Sequence, residues 1–259
     1  MEDSRFYKLT RVSPEAEENE PELHRRLREA GSEELAALVR EHVEEMEPPA
    51  VRHALRSPYC TAEVIELVAG VRRLLSFNEV RREIALHPRA PEALAGRFVP
   101  TLWWRDLMEL ALDLRVRPTL RRAAELHLTN RLPELAAGEK ISLARRASAG
   151  ILSQLRHDPN PQVIAALLDN PRLTEGLLAP VLHGGRTPPA VLDLIANDRR
   201  WGVRYPLRVA LVRNPSTPLN TAWRLLESLR ATDLRIVAAD PRSPEPVRRR
   251  ARVLLEQKG

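Results

Sequence analysis

The chain has 259 residues, 43% hydrophobic, 29% charged and only 4% aromatic, so it is long enough to bury a core and must build that core from aliphatic side chains. A single cysteine, Cys60, excludes an internal disulfide and any site made of several thiolates; no apolar run approaches the roughly 20 residues of a membrane helix. The net charge of +6 hides an asymmetry: residues 1–50 hold 7 Lys+Arg against 14 Asp+Glu, and residues 199–259 hold 14 against 5. Opposite signs at the two ends suit an anionic partner at one end or head-to-tail attraction between molecules.

Residues 1–20 lack apolar periodicity and end in PEAEENE, which predicts a mobile acidic lead-in. No stretch there has the apolar length of a signal peptide, so the expected location is the cytoplasm. From Pro21 to residue 259 the spacing predicts a single α-helical repeat domain. Leu23, Leu27, Leu35, Leu38 and Val39 mark two helical segments interrupted at Gly31-Ser32. Ser32, followed by Glu33-Glu34, has the composition of an N-cap with acids in the first turn.

One phrase then recurs: an apolar helix, a polar residue followed by proline, and a second helix. It occurs at Ser57-Pro58, His87-Pro88, Asn170-Pro171, Asn214-Pro215 and Asp240-Pro241. Proline lacks an N–H and crowds the preceding turn, so the first helix must stop there. The Ser, Asn or Asp before it can bond the local backbone and ease the corner. Thr61, Pro91, Thr174, Pro218 and Pro244 fit the opening of the next helix. No copy could bury its apolar face alone, so the copies must stack. Their spacing is irregular: 30 residues from Pro58 to Pro88, 44 from Pro171 to Pro215, 26 from Pro215 to Pro241. Residues 102–150 keep helical periodicity without the proline phrase and are read as degenerate repeats; a break near 135–140 is the alternative.

The phrases DPNPQVIAALLDNPRLTEGLL and NDRRWGVRYPLRVALVRNPSTP resemble variant leucine-rich repeats, bacterial relatives of HEAT-type helical repeats. The resemblance covers residues 48–98 and 158–255 well and 102–150 poorly. It implies an all-α, right-handed superhelical solenoid of stacked helix pairs whose concave face binds a partner, usually protein. Members of that family can carry an iron–sulfur cluster on several cysteines; with Cys60 alone, no cofactor is expected.

Trp103-Trp104 near Asp106 resembles the tryptophan pair and acid of HEAT-like alkylpurine DNA glycosylases, but the position one turn past Trp104 is Met108. Asp106, Glu109 and Asp113 fall at i, i+3 and i+7, which predicts a solvent stripe opposite Trp103, Leu107, Leu110 and Leu114, with the two tryptophans packed between helices. The helix PEPVRRRARVLLEQKG puts Val247, Ala251, Leu254 and Leu255 on one face and Arg248, Arg249, Arg250 and Arg252 on the rest. Together with Arg199 and Arg200 these arginines are the candidate anion or nucleic-acid contacts; as a plain alternative they make a soluble capping face. No two histidines lie at i, i+3 or i+4, which excludes a one-helix metal site. His87 and His157 are expected at corners, Cys60 as a small buried residue, and Gly184-Gly185 as an inter-repeat loop. The sequence thus predicts a non-catalytic scaffold with a protein partner and no membrane, nucleic-acid binding being the alternative; it leaves the oligomeric state open.

Overall fold

Prolines and capping residues cut the chain into short helices throughout. The computed structural model describes residues 22–183 and 187–258, and among them lie seventeen α-helices and no strand. The acidic lead-in and the Gly184-Gly185 loop fall outside the described residues. Among the described residues, no helix is long and apolar enough to cross a membrane.

The contacts divide the chain into two compact units, the division falling between Leu128 and Thr129. The first holds α1 (Glu22–Glu29), α2 (Ser32–His42), α3 (Pro48–Arg56), α4 (Ala62–Gly70), α5 (Asn78–Leu86), α6 (Glu92–Phe98), α7 (Trp104–Leu112) and the start of α8 (Pro118–Arg131). The second continues with α9 (Ala137–Ala144), α10 (Ala149–Leu155), α11 (Pro161–Leu168), α12 (Glu175–His183), α13 (Pro189–Asn197), α14 (Tyr205–Arg213), α15 (Leu219–Leu226), α16 (Ala231–Ala239) and α17 (Glu245–Lys258).

Within each unit, helices pack on the helix two places further on. Odd helices meet odd ones (α1 with α3, α3 with α5, α5 with α7; α9 with α11, α11 with α13, α15 with α17). Even helices meet even ones (α2 with α4; α10 with α12, α12 with α14, α14 with α16). The α13–α15 step is bridged by Thr221, whose hydroxyl donates to Asp193 at 2.5 Å, and by Arg224, which donates to Asn197 at 2.7 Å. Each unit is therefore two layers of helices, with the core between them. Leu27, Leu35, Leu55, Ile65, Ile84, Leu107, Leu110 and Leu128 are fully buried in the first unit, and Leu152, Leu167, Leu192, Leu211 and Leu226 in the second. Such burial supplies about 1.5–3 kcal/mol per large aliphatic side chain, which these short helices need, because isolated helices of this length are marginal in water.

The layering explains the irregular proline spacing. Ser57, His87 and Asn170 stand where an odd helix turns into an even one, whereas Asn214 and Asp240 stand where an even helix turns into an odd one. The odd-to-even corner that follows Asn170 is Asp198-Arg199-Arg200-Trp201, 28 residues on, with Arg199 where proline would be expected. The 44-residue gap is thus one repeat plus a half-repeat shift. The degenerate middle keeps the same corner: Asp113 accepts the Arg115 backbone N–H at 2.9 Å, with Leu114 in the proline position.

Two local expectations are corrected. Gly31, not Ser32, is the N-cap of α2, and Ser32 is already helical. The stripe on α7 is also displaced, since Asp106 is buried at 8% exposure while Leu114 is 82% exposed. The reason is α5, which packs on α7 and presents Arg82: its Nε lies 3.1 Å from Asp106, and Asn78 donates to the same carboxylate at 2.9 Å. A neighbouring cation made the acid a buried position. Leu114 lies beyond the helix end, where helical periodicity no longer assigns a face.

Candidate functional site

The corners are the chemically richest part of the structure. At the corners that follow α3, α5, α10, α11, α13, α14 and α16, the side chain at the helix stop accepts the backbone N–H two residues ahead, as short polar side chains do in turns. Ser57 accepts from Tyr59, His87 Nδ1 from Arg89, Asp158 from Asn160, Asn170 from Arg172, Asp198 from Arg200, Asn214 from Ser216 and Asp240 from Arg242, all between 2.8 and 3.2 Å. Thr61 and Thr174 then accept N–H groups of the opening turns of α4 and α12 at 3.5 and 3.3 Å.

Asn and Asp are not interchangeable at these stops. Asn170 is fully buried, and its amide nitrogen donates to the carbonyls of Ala144 (2.7 Å) and Ala147 (3.2 Å) on the preceding corner. Asn214 does the same to Leu182, at 2.6 Å. The aspartates only accept: Asp198 takes the N–H groups of Arg200 and Trp201, and Asp240 those of Arg242 with the Arg213 and Arg242 guanidiniums around it. That environment holds the Asp240 carboxyl down at about 2. An amide stands where the corner must reach back to a carbonyl, and a carboxylate where it need not.

Arginines staple successive corners in the same way. Arg89 donates to the carbonyls of Pro58 (2.9 Å) and Cys60 (2.7 Å), and Arg172 to that of Arg146 (3.4 Å). Arg200 reaches Asn170 (3.2 Å) and Leu173 (3.4 Å), and lies with Arg204 against the face of buried Trp201, 4.5 and 5.0 Å from the ring centre. The Trp201 indole N–H donates to Leu168 at 3.0 Å.

This accounts for much of the arginine cluster picked out from sequence. Arg200 is a staple; Arg248 and Arg252 pair with Glu245, and Arg250 with Glu227 at 3.2 Å. Arg199 and Arg249 are exposed side chains for which no ion pair is seen among the described residues. The structure does not gather the six: Arg199 and Arg200 sit on the α13–α14 corner and the other four on α17. Val247, Ala251 and Leu254 are buried beneath them, as the helical spacing predicts.

Trp103 does not pack between helices: it is 66% exposed and precedes α7 at its N-cap, while Trp104 is half-buried and carries the Arg105 guanidinium 5.2 Å from its ring centre. Cys60 is buried, and burial pushes its thiol up to about 12, too high for a thiolate nucleophile at neutral pH. At the His87 corner, burial and the nearby Arg89 charge hold the imidazole down at about 4, which keeps Nδ1 an acceptor for the Arg89 N–H. His24 and His53, far apart in sequence, bring their ring centres within 5.2 Å where α1 meets α3, a pairing no one-helix spacing rule detects. No group of three or more His, Cys, Asp or Glu side chains among the described residues is placed to hold a metal ion.

Outside α17, the second unit exposes few fixed charges in either layer. In the second unit, the exposed positions of the even helices are Ala149, Gly150, Gln154, Gly176, Pro180, His183, Pro206, Thr232, Arg235, Ile236 and Ala239. One of these eleven is a fixed charge, where the chain's 29% would put about three. In the first unit the odd helices carry a ladder of ion pairs instead: Arg52 with Glu79, Arg56 with Glu83 at 2.5 Å, and Arg82 with Glu109 at 2.5 Å. Comparison of the chain with family models, curated proteins and solved structures finds no match.

Proposed function

We propose that the protein is a non-catalytic helical-repeat scaffold, a HEAT-like solenoid of stacked helix pairs that binds a protein partner on its concave face. One observation carries this reading: in the even helices of the second unit Arg235 is the one fixed charge among the eleven fully exposed positions, with Glu175 and Arg213 partly exposed beside them. Surface of that composition loses little solvation when covered, and interface cores are depleted of charge in the same way. The corner network supports the scaffold role, because its capping side chains and staples are spent on holding the backbone. The test is affinity capture from cells with Thr232→Glu and Ile236→Glu, against Gln162→Glu and Asn220→Glu on the odd layer. The even-layer pair should lose a partner that the odd-layer pair retains, with helix content unchanged. Equal capture by all four variants refutes the face assignment. A radius of gyration near the roughly 18 Å of a compact chain of this length, rather than well above it, refutes the solenoid.

A second reading, nucleic-acid binding through the arginines, draws on the exposure of Arg199 and Arg249. It requires DNA affinity to fall with salt at a log–log slope near −3 to −4 for about four neutralised phosphates. A flat slope sinks it.

A further inference from the structure

The last two odd helices expose the most apolar surface of the second unit's odd layer. Leu219 is 41% exposed, Trp223 43% and Val253 37%, and the Arg250–Glu227 pair ties α17 to α15, so these side chains share one surface. Around them stand Arg224, Arg248, Arg249, Arg250 and Arg252 against Glu227, Glu245 and Glu256. The surface is basic with an apolar centre.

The first unit carries its opposite. On α2 and α4, which pack side by side and are joined by the Arg40–Glu63 pair, Glu33, Glu34, Glu41, Glu63 and Glu66 are all exposed, with Arg40 the one exposed cation. Ala37 and Ala62 lie exposed among them and leave room for a large side chain.

We infer that the protein self-associates head to tail, the α15–α17 face of one molecule docking on the α2–α4 face of a second copy. Three glutamates interleaved with the arginines break up the uniform positive field a nucleic-acid backbone needs, whereas an apolar centre rimmed by charge matches a protein surface. Because the two faces differ, the contact is heterologous and extends beyond a dimer into chains or rings. It is also small. A 14-residue helix spans about 21 Å, and a face two helices wide falls short of the roughly 800 Å² per partner of a stable interface. The association is therefore weak and salt-sensitive.

The experiment is sedimentation of the full chain from about 10 to 300 µM at about 50 and 500 mM salt, where the screening length shrinks from above 10 Å to a few Å. The expected result is an average mass that climbs past the dimer with concentration at low salt and returns to the 29.4 kDa monomer at high salt. Arg249→Glu/Arg252→Glu and Glu33→Lys/Glu66→Lys should each stay monomeric alone and regain association when mixed in equal amounts. Trp223→Ala should weaken association about tenfold, as loss of a central aromatic does, with helix content unchanged. A monomer under all conditions, association unaffected by either charge reversal, or no recovery in the mixture overturns the inference. So does a salt-dependent sedimentation rate at constant monomer mass, which would place the two faces against each other within one molecule.

Discussion

Replacing Asn170 by Asp changes one amide nitrogen to an oxygen and tests the corner logic directly. In the protein that nitrogen donates to the Ala144 and Ala147 carbonyls at 2.7 and 3.2 Å in a fully buried position. The substitution removes both bonds, strands two carbonyls and sets a carboxylate oxygen against them. A buried group left without its partner costs about 1–3 kcal/mol, so the two carbonyls and the repulsion together should destabilise by about 3–5 kcal/mol. The acceptor bond to the Arg172 N–H survives, which confines the damage to the reach-back to the preceding corner. The introduced carboxyl should titrate above its ordinary value, since burial and carbonyl oxygens both disfavour its charge. A raised folded-state pKa means the penalty is present in full at neutral pH and shrinks as the pH falls through that pKa, when the acid can donate an O–H to Ala144. Urea unfolding at pH 7.5 and 5 measures both effects. Asp198→Asn is the control: Asp198 only accepts, an amide oxygen accepts as well, and the cost should stay below about 1 kcal/mol. If the two substitutions cost the same, or Asn170→Asp is neutral, the distinction between reach-back amides and accepting carboxylates is wrong.

Gly202→Ala should destabilise by more than the usual 1–3 kcal/mol of overpacking, because the new Cβ would lie 2.3 Å from the Ala196 carbonyl oxygen and 2.9 Å from that of Asp198, both backbone atoms; a melting shift of only a degree or two contradicts it. Leu211, fully buried in α14, should cost about 2–5 kcal/mol when cut to Ala, while exposed Pro215→Ala should cost under about 1 kcal/mol; equal shifts would mean the register is misread. For His87, with a folded-state pKa of about 4 against an ordinary 6.5, the unfolded chain takes up the proton first. Stability is complete above about pH 6.5 and falls by about 3 kcal/mol in all on going to pH 4. His87→Asn, which retains an acceptor for the Arg89 N–H, should flatten that decline, and an unchanged profile would refute the assignment.

Much of the fold was legible in the residues. Proline after a polar residue stops a helix whatever the surroundings, so the corners at Ser57, His87, Asn170, Asn214 and Asp240 could be placed from covalent chemistry and local hydrogen bonding alone. The 3.6-residue spacing of Val247, Ala251 and Leu254 likewise identified the buried side of α17. The phase of the repeat was not legible, because a proline corner looks the same whether it leads from the odd layer to the even or back, and Asp198-Arg199 makes such a corner without proline. The fate of charged side chains was equally out of reach. Asp106 becomes buried only because α5 brings Arg82 and Asn78 against it, and Arg200 becomes a staple because the previous corner's carbonyls lie within its span. Helix ends depend on neighbours in sequence; whether a charge faces water, a carbonyl or another charge depends on neighbours about 27 residues away, and only packing brings those together.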